Sequence, residues 1–396
     1  MDKLNILLIS YEFPPMVGGE GSYVYGLSKA LSDLGHKINI VTIYQGRKGM
    51  NSNNGNCNFI QIPILKKPPG FKMMSFGYGL NIKLKELIKT QKLDVIHQTY
   101  DFYKIPFSKE DVDAPVFATI HHPFIAEQKA VRAFSNFYDY FKYRILKRSD
   151  LLAIMQKKIC ERVDKIIAVS NFTAQNVIDD YAIPPTKIEV IPNGVDLNKF
   201  NPKVDGIKMR GSLGITDEPV ILYVGKLEFN KGIEYLILSF SKIVKQIPNA
   251  KLVIVGNGPI KNRLMNLVKQ KKLSKSVIFT GKIPSKKLPS IFAASDLFVL
   301  PSLMEGFGIV LLEAMACGKP CIATKAGGTE DIIVNGETGF LAPIGDCISL
   351  YQAINALLAN PDLAQKFGKA GLNRVRKNFT WNIIAKRTIN TYRNII

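Results

Sequence analysis

Short apolar, β-branched runs alternate with longer amphipathic stretches along the whole chain. Leu4–Ser10, Lys37–Ile43, Asp94–His97, Val116–Ile120, Lys165–Val169 and Lys187–Ile191 read as parallel strands, because a strand covered on both faces loses the apolar–polar alternation of a half-exposed one. A second series starts near Pro219, with Val220–Val224, Ala250–Val255, Val277–Thr280, Leu297–Leu300, Pro320–Ala323 and Gly339–Leu341. Helical patterns fill the gaps. The alternation predicts an α/β fold, and two series predict two doubly wound, Rossmann-like domains with ligands bound at the strands' carboxyl ends, which face a central cleft.

The turn sequence Ile191-Pro192-Asn193-Gly194-Val195-Asp196 leads into a polar connector, Asn198–Asp217, and sets the boundary. Residues 1–196 form the expected first domain and 197–377 the second. The segment 378–396, with Phe379, Trp381 and Tyr392, reads as a C-terminal helix that packs back on the first domain or caps the second.

The length of 396 residues fits two domains, each with a sizeable core, and 46% hydrophobic against 21% charged residues is a globular composition. The apolar run at Leu4–Ser10 is too short for a secretory signal, and no stretch approaches the roughly 18 apolar residues of a membrane span. The expected location is cytoplasmic. Cys57, Cys160, Cys317, Cys321 and Cys347 contain no CxxC pair, so neither a disulfide framework nor a zinc site is indicated, and His36, His97, His121 and His122 are too scattered for a metal cage.

The formal net charge of +21 predicts attraction to an anionic partner: nucleic acid, an anionic membrane surface or phosphorylated substrates. It is equally readable as lysine spread over solvated helix faces. No zinc-finger spacing and no aromatic RNA-binding strand occurs, which disfavours nucleic acid.

The chemistry concentrates in the run from Pro301 to Ala316. Glu305 precedes a turn with Gly306 and Gly308, and Glu313 interrupts an otherwise apolar stretch from Ile309 to Ala316. A helix starting near Gly308 turns its free N–H groups and positive dipole end toward the Glu305 loop, forming an anion site. Glu313, somewhat more than a turn further on, tilts back toward that end, so both carboxylates can converge on one phosphorylated, polyhydroxylated ligand. The alternative makes Glu305 an ordinary loop residue and Glu313 part of an exposed stripe; burying an unpaired carboxylate costs several kcal/mol, which argues against it.

Other strand ends repeat the theme. Gly18-Gly19-Glu20-Gly21 opens a helix reading Tyr23–Leu34, yet departs from the GxGxxG dinucleotide fingerprint. Gly225–Gly232 holds Lys226 and Lys231 where a sheet delivers its ligand; solvated lysines are the bland reading. Gly256-Asn257-Gly258-Pro259 and Gly281-Lys282-Ile283 are further glycine turns, either ligand contacts or plain turns. Thr119-Ile120-His121-His122 ends a strand, so one imidazole should point toward the ligand side. Asp111-Val112-Asp113 has the letters of a metal-binding DxD motif but precedes a strand and reads as a surface turn.

Taken with Lys226, Lys231, Ile191–Asp196 and Gly327-Gly328-Thr329-Glu330, the Pro301–Ala316 run closely resembles the retaining GT-B glycosyltransferases of family four, the glycogen-synthase and mannosyltransferase-like group. The resemblance covers nearly the whole chain. It implies that Glu305 contacts the donor sugar and Glu313 the nucleotide ribose, with the backbone of Gly306, Phe307, Gly308 and Ile309 holding phosphate. Lys231 matches the diphosphate-binding lysine. Lys226 stands where the family usually has arginine, which keeps the charge and loses the bidentate fork. Gly18 and Gly19 match the loop near the diphosphate, His121 the active-site histidine of the first domain, and Ile283 a backbone contact to the base; Gly256 and Gly258 join the donor-side turns.

The implied activity is transfer of a sugar from a UDP- or GDP-linked donor to an acceptor hydroxyl, with retention and without metal or other cofactor. Rival readings are a nucleotide-sugar epimerase or hydrolase of similar fold, and a non-catalytic nucleotide-sugar-binding protein. Val131, Phe134, Tyr138, Phe141 and Ile145 repeat at three and four, and Lys129–Arg148 holds six Lys/Arg against one Asp, a net +5. Such a helix suits an anionic bilayer or a lipid-linked glycan acceptor, placing the enzyme peripherally at the inner face of the cell membrane, or it is a core helix with a basic face. Lys66–Met74 reads as a second basic, apolar stretch or a mobile loop.

Overall fold

The computed structural model describes residues 2–13, 18–43, 57–63, 71–100, 112–134 and 149–396, with backbone alone at 71–74 and 149. Tyr138, Phe141, Ile145, Lys66–Gly70 and Asp111 lie outside these residues. The chain divides into two compact units: Met1–Ile125, Tyr143–Gly194 and Trp381–Ile396 form the first, and Ala126–Lys142 and Val195–Thr380 the second.

The first unit is a seven-stranded sheet ordered β3-β2-β1-β4-β5-β6-β7, in which every neighbouring pair is parallel. The strands are β1 (Asn5–Ile9), β2 (Lys37–Ile43), β3 (Cys57–Ile62), β4 (Val95–Gln98), β5 (Val116–Ile120), β6 (Lys165–Ala168) and β7 (Ile188–Val190). Helices α1 (Gly19–Asp33), α2 (Phe71–Thr90), α3 (Phe124–Phe134), α4 (Ser149–Arg162) and α5 (Asn171–Tyr181) run between them, α3 extending from this unit into the residues grouped with the second.

Both faces of this sheet are covered. On one, Tyr23, Val24 and Leu27 of α1 pack with Ile384, Ile389 and Tyr392 of the C-terminal helix Trp381–Arg393 against Ile6, Leu8 and Ile38. On the other, Leu80 and Leu84 of α2, Ile159 of α4 and Val163 just after it pack against Leu7, Val41 and Ile96. Each buried aliphatic side chain contributes roughly 1.5–3 kcal/mol, which is why the strand runs are apolar at successive positions.

The second unit is a six-stranded sheet ordered β10-β9-β8-β11-β12-β13, again parallel throughout. Its strands are β8 (Val220–Val224), β9 (Lys251–Val255), β10 (Val277–Gly281), β11 (Leu297–Leu300), β12 (Cys321–Thr324) and β13 (Gly339–Ala342). The helices are α6 (Ile207–Ser212), α7 (Ile233–Gln246), α8 (Lys261–Gln270), α9 (Leu288–Ala293), α10 (Ile309–Ala316), α11 (Thr329–Ile332), α12 (Cys347–Ala359) and α13 (Pro361–Asn378). Asn378 closes α13, and the C-terminal helix α14 starts at Trp381, so the expected 378–396 helix is three residues shorter at its beginning and belongs with the first unit's contacts.

Candidate functional site

In the second unit the strand order runs outward in both directions from β8 and β11, so the crevice between these two neighbours is the topological switch point. The loop after β8 carries Lys226 and Lys231, and the loop after β11 carries Glu305. Backbone hydrogen bonds lace these loops to their neighbours: Gly225 N–H donates to Val255 O at 3.0 Å, Leu227 N–H to Asn257 O at 3.0 Å and Leu303 N–H to Asn230 O at 2.8 Å. Gly256, at φ +144°, holds its α-carbon where a Cβ would collide with the carbonyl of Gly225. Gly258 lies against the backbone of Leu227 in the same knot.

At the switch point Lys231 Nζ donates to Glu305 Oε2 at 2.8 Å, and Ser302 Oγ donates to the same oxygen at 3.1 Å. The lysine and glutamate side chains are 18% and 15% exposed, so the pair is partly desolvated and still reachable. A charged hydrogen bond of this kind is worth roughly 1.5–3 kcal/mol. Glu305 is also fixed through its backbone: its N–H donates to Ala326 O at 2.8 Å and its carbonyl accepts from Gly328 N–H at 2.9 Å, which ties it to the loop after β12. Lys226 is exposed at the end of β8, its carbonyl accepting from the buried Tyr223 hydroxyl at 2.9 Å. Burial, with the Glu305 and Glu228 carboxylates, holds the Tyr223 phenol far above its ordinary range, so it stays a donor.

Gly306, Phe307 and Gly308 lead from Glu305 into α10, whose first residue is Ile309. Gly308 sits at φ +97°, a left-handed conformation that turns the chain sharply into the helix, and as the N-cap it makes no side-chain cap hydrogen bond. The N-terminal N–H groups of α10 therefore face the Glu305 loop as an anion-binding end. Phe307 is buried with its ring 6.2 Å from that of Phe379. Glu313 is partly buried on α10, and desolvation, opposed by the charge of Lys199, pushes its carboxyl up to about 7. Ile283 lies just beyond β10, on the outer side of β9.

In the first unit the order reverses between β1 and β4. Gly18 is the N-cap of α1 and Gly19 its first residue, again without a side-chain cap, and the Glu12 carboxylate occupies the space a Cβ on Gly18 would need. His121 follows β5, its ring stacked edge-on at 4.6 Å from that of Tyr23. Burial pushes the imidazole down to about 4 against a hydrogen bond to the Thr99 backbone, while the nearby His122 pushes it lower, so His121 is neutral at physiological pH. Behind it, Tyr23 Oη meets Thr119 Oγ1 at 3.0 Å, Thr119 meets His97 Nε2 at 2.7 Å, and His97 Nδ1 meets Tyr392 Oη at 2.6 Å.

The fold thus gathers Lys231, Glu305 and the Gly306–Ile309 backbone at one point of the second unit, with Lys226 and the Gly256–Gly258 turn beside them; Gly18, Gly19 and His121 belong to the first unit. Ser302, fully buried, is a partner of Glu305 that the sequence pattern does not single out; its position three residues before a strand-end glutamate was the available signal. Among the described residues no cluster of three His, Cys, Asp or Glu could hold a metal ion.

Two doubly wound sheets, one with a cationic loop and an uncapped helix end at its switch point, define a class of α/β proteins built to take a phosphorylated ligand. The sequence matches the family model for glycosyl transferases group 1 over residues 206–374 and that for Glycosyltransferase Family 4 over residues 17–199, and the chain belongs to this glycosyltransferase family. It is 28% identical to an uncharacterised glycosyltransferase of Methanocaldococcus jannaschii, over 98% of each chain. It is 27% identical to the N-acetyl-alpha-D-glucosaminyl L-malate synthase of Bacillus anthracis, over 100% of this chain and 98% of that one. Sucrose-phosphate synthase of Thermosynechococcus elongatus shares the fold at a TM-score of 0.81, with 26% identity and 99% of each chain covered.

Proposed function

We propose that this glycosyltransferase moves a sugar from a nucleoside-diphosphate donor, UDP- or GDP-linked, to an acceptor hydroxyl with retention at the anomeric carbon and without a metal ion. The observation that carries the reading is the Lys231–Glu305 pair beside the uncapped N-terminus of α10 at the switch point. A diphosphate docked on that helix end draws Lys231 and Lys226 to its oxygens, which frees Glu305 to accept hydrogen bonds from the sugar hydroxyls, while Glu313 accepts from the ribose. The bond from the anomeric carbon to the phosphate oxygen breaks as the bond to the acceptor oxygen forms on the same face. The acceptor's proton passes to the departing diphosphate, whose charge the two lysines and the helix end stabilise. His121, neutral and with its N–H donated to the Thr99 backbone, meets a hydroxyl group with its other ring nitrogen as an acceptor.

A basic, partly apolar surface on the first unit supports a lipid-linked or envelope-glycan acceptor reached at the inner face of the cell membrane. Helix α2 exposes Tyr78 and Ile82 beside Lys83, Lys85 and Lys89, and α4 exposes Leu151 and Ile154 beside Lys157 and Lys158. The decisive experiment is a thermal-shift panel of nucleotide sugars, followed by product mass and anomeric configuration with and without EDTA. An inverted product, or turnover abolished by chelator and restored by manganese, overturns the mechanism; release of free or epimerised sugar with no transfer overturns the activity.

A further inference from the structure

Lys199 lies in the connector that opens the second unit, in neither a strand nor a regular helix. Its ammonium is nevertheless held in place. Nζ donates to Ser285 Oγ at 2.7 Å and stands 4.8 Å from the centroid of the Phe200 ring. Ser285 is two residues beyond Ile283, in the turn that leaves β10 for α9. The connector then runs along α10: the Asn201 backbone hydrogen-bonds the thiol of Cys317, one helical turn after Glu313, and a Cβ on Gly318 would stand 3.5 Å from Pro202. The charge of Lys199 also acts on Glu313, favouring its carboxylate.

The ammonium therefore stands between the turn after β10 and the Glu313 face of α10, the two elements that the glycosyltransferase reading assigns to base and ribose. The diphosphate elements, Lys226, Lys231 and the Gly306–Ile309 backbone, lie on other loops. We propose that Lys199 is a nucleoside-recognising residue of the donor site, a cation that the connector places between Glu313 and the Ile283–Ser285 turn to grip the ribose and base of a nucleoside diphosphate. The assignment rests on that reading. Ser285 takes one of the three N–H donors of the ammonium, and the others suit a carboxylate and a carbonyl oxygen. Uracil and guanine carry such carbonyls on their pairing edges; adenine presents an amino group instead, so the site favours UDP or GDP over ADP.

Calorimetric titration of the full chain with UDP, GDP, ADP and inorganic diphosphate tests this, using wild type, Lys199→Met and Lys199→Arg. The wild type should prefer UDP or GDP to ADP. Lys199→Met should weaken the preferred nucleotide at least tenfold and leave inorganic diphosphate within twofold, with partial recovery in Lys199→Arg. Should the Met variant melt early, Lys199→Gln provides the same comparison. Unchanged nucleotide affinity, or an equal loss for inorganic diphosphate, overturns the role of Lys199. A wild-type protein that binds none of the three nucleotides overturns the glycosyltransferase reading itself, an outcome distinct from a silent substitution.

Discussion

Lys231 and Glu305 neutralise each other at 2.8 Å, so the site holds its lysine ready beside the anion-binding helix end at little net charge. Replacing the glutamate by an isosteric neutral group separates this electrostatic role from packing. Glu305→Gln keeps an oxygen for Ser302 and should lower kcat by about 10²–10³-fold, with a thermal midpoint close to wild type; steady-state kinetics beside a melting curve checks it. Turnover near the wild-type value would remove Glu305 from the chemistry. Glu313 offers a different test. Its folded pKa of about 7 exceeds the ordinary 4.5, so the fold binds this proton more tightly than the unfolded chain, and the associated stability, complete below about 4.5, is lost as pH rises through 7. Glu313→Gln should therefore be more stable than wild type at pH 8 in the absence of nucleotide, by about 1–3 kcal/mol, and equal to it at pH 4.5. Denaturant titrations at the two pH values measure the difference; equal stability at both contradicts the desolvated carboxyl.

The strands of the second unit were legible to within a residue or two, since the four inner ones, β8, β9, β11 and β12, are almost wholly buried and all six read as short, mostly apolar runs. Strand β3 was not. It is buried fully only at Ile62, and Cys57-Asn58-Phe59-Ile60-Gln61 mixes polar and apolar residues with no continuous apolar run to mark it. The same limit applies to the site. Glu305, Lys231 and Gly308 announce themselves by sitting at strand ends, whereas Lys199 and Ser285 are 86 positions apart and meet only through the course of the connector. Helix α14 shows how strongly tertiary packing can hold an element that composition leaves ambiguous. The Trp381 indole lies flush on Gly26 of α1 and on Gly194, with Tyr23 5.8 Å away, so any Cβ at Gly26 would collide with it. Trp381→Ala should cost about 2–4 kcal/mol of first-unit stability, read by hydrogen exchange in α1 and α14. Protection unchanged in both helices would contradict that packing.

At the scale of the molecule, the +21 charge bears on where the enzyme works. Among the described residues no helix is long and apolar enough to cross a membrane, and α2 and α4 carry the exposed apolar and basic residues on which the proposed bilayer contact is argued. Flotation with vesicles containing anionic phosphatidylglycerol should recover the protein at low salt and release it in about 0.5 M salt, because screening acts over some 4 Å at that strength. Protein that stays at the bottom of the gradient at low salt removes the bilayer from the acceptor's setting. Trp381 is the only tryptophan of the chain, and it is seated in the first unit. Its emission is thus a built-in optical probe of one unit alone: excited at 295 nm, the protein reports the melting of the sheet that holds His121, while far-ultraviolet dichroism reports both, and a gap between the two curves measures how independently the second unit unfolds.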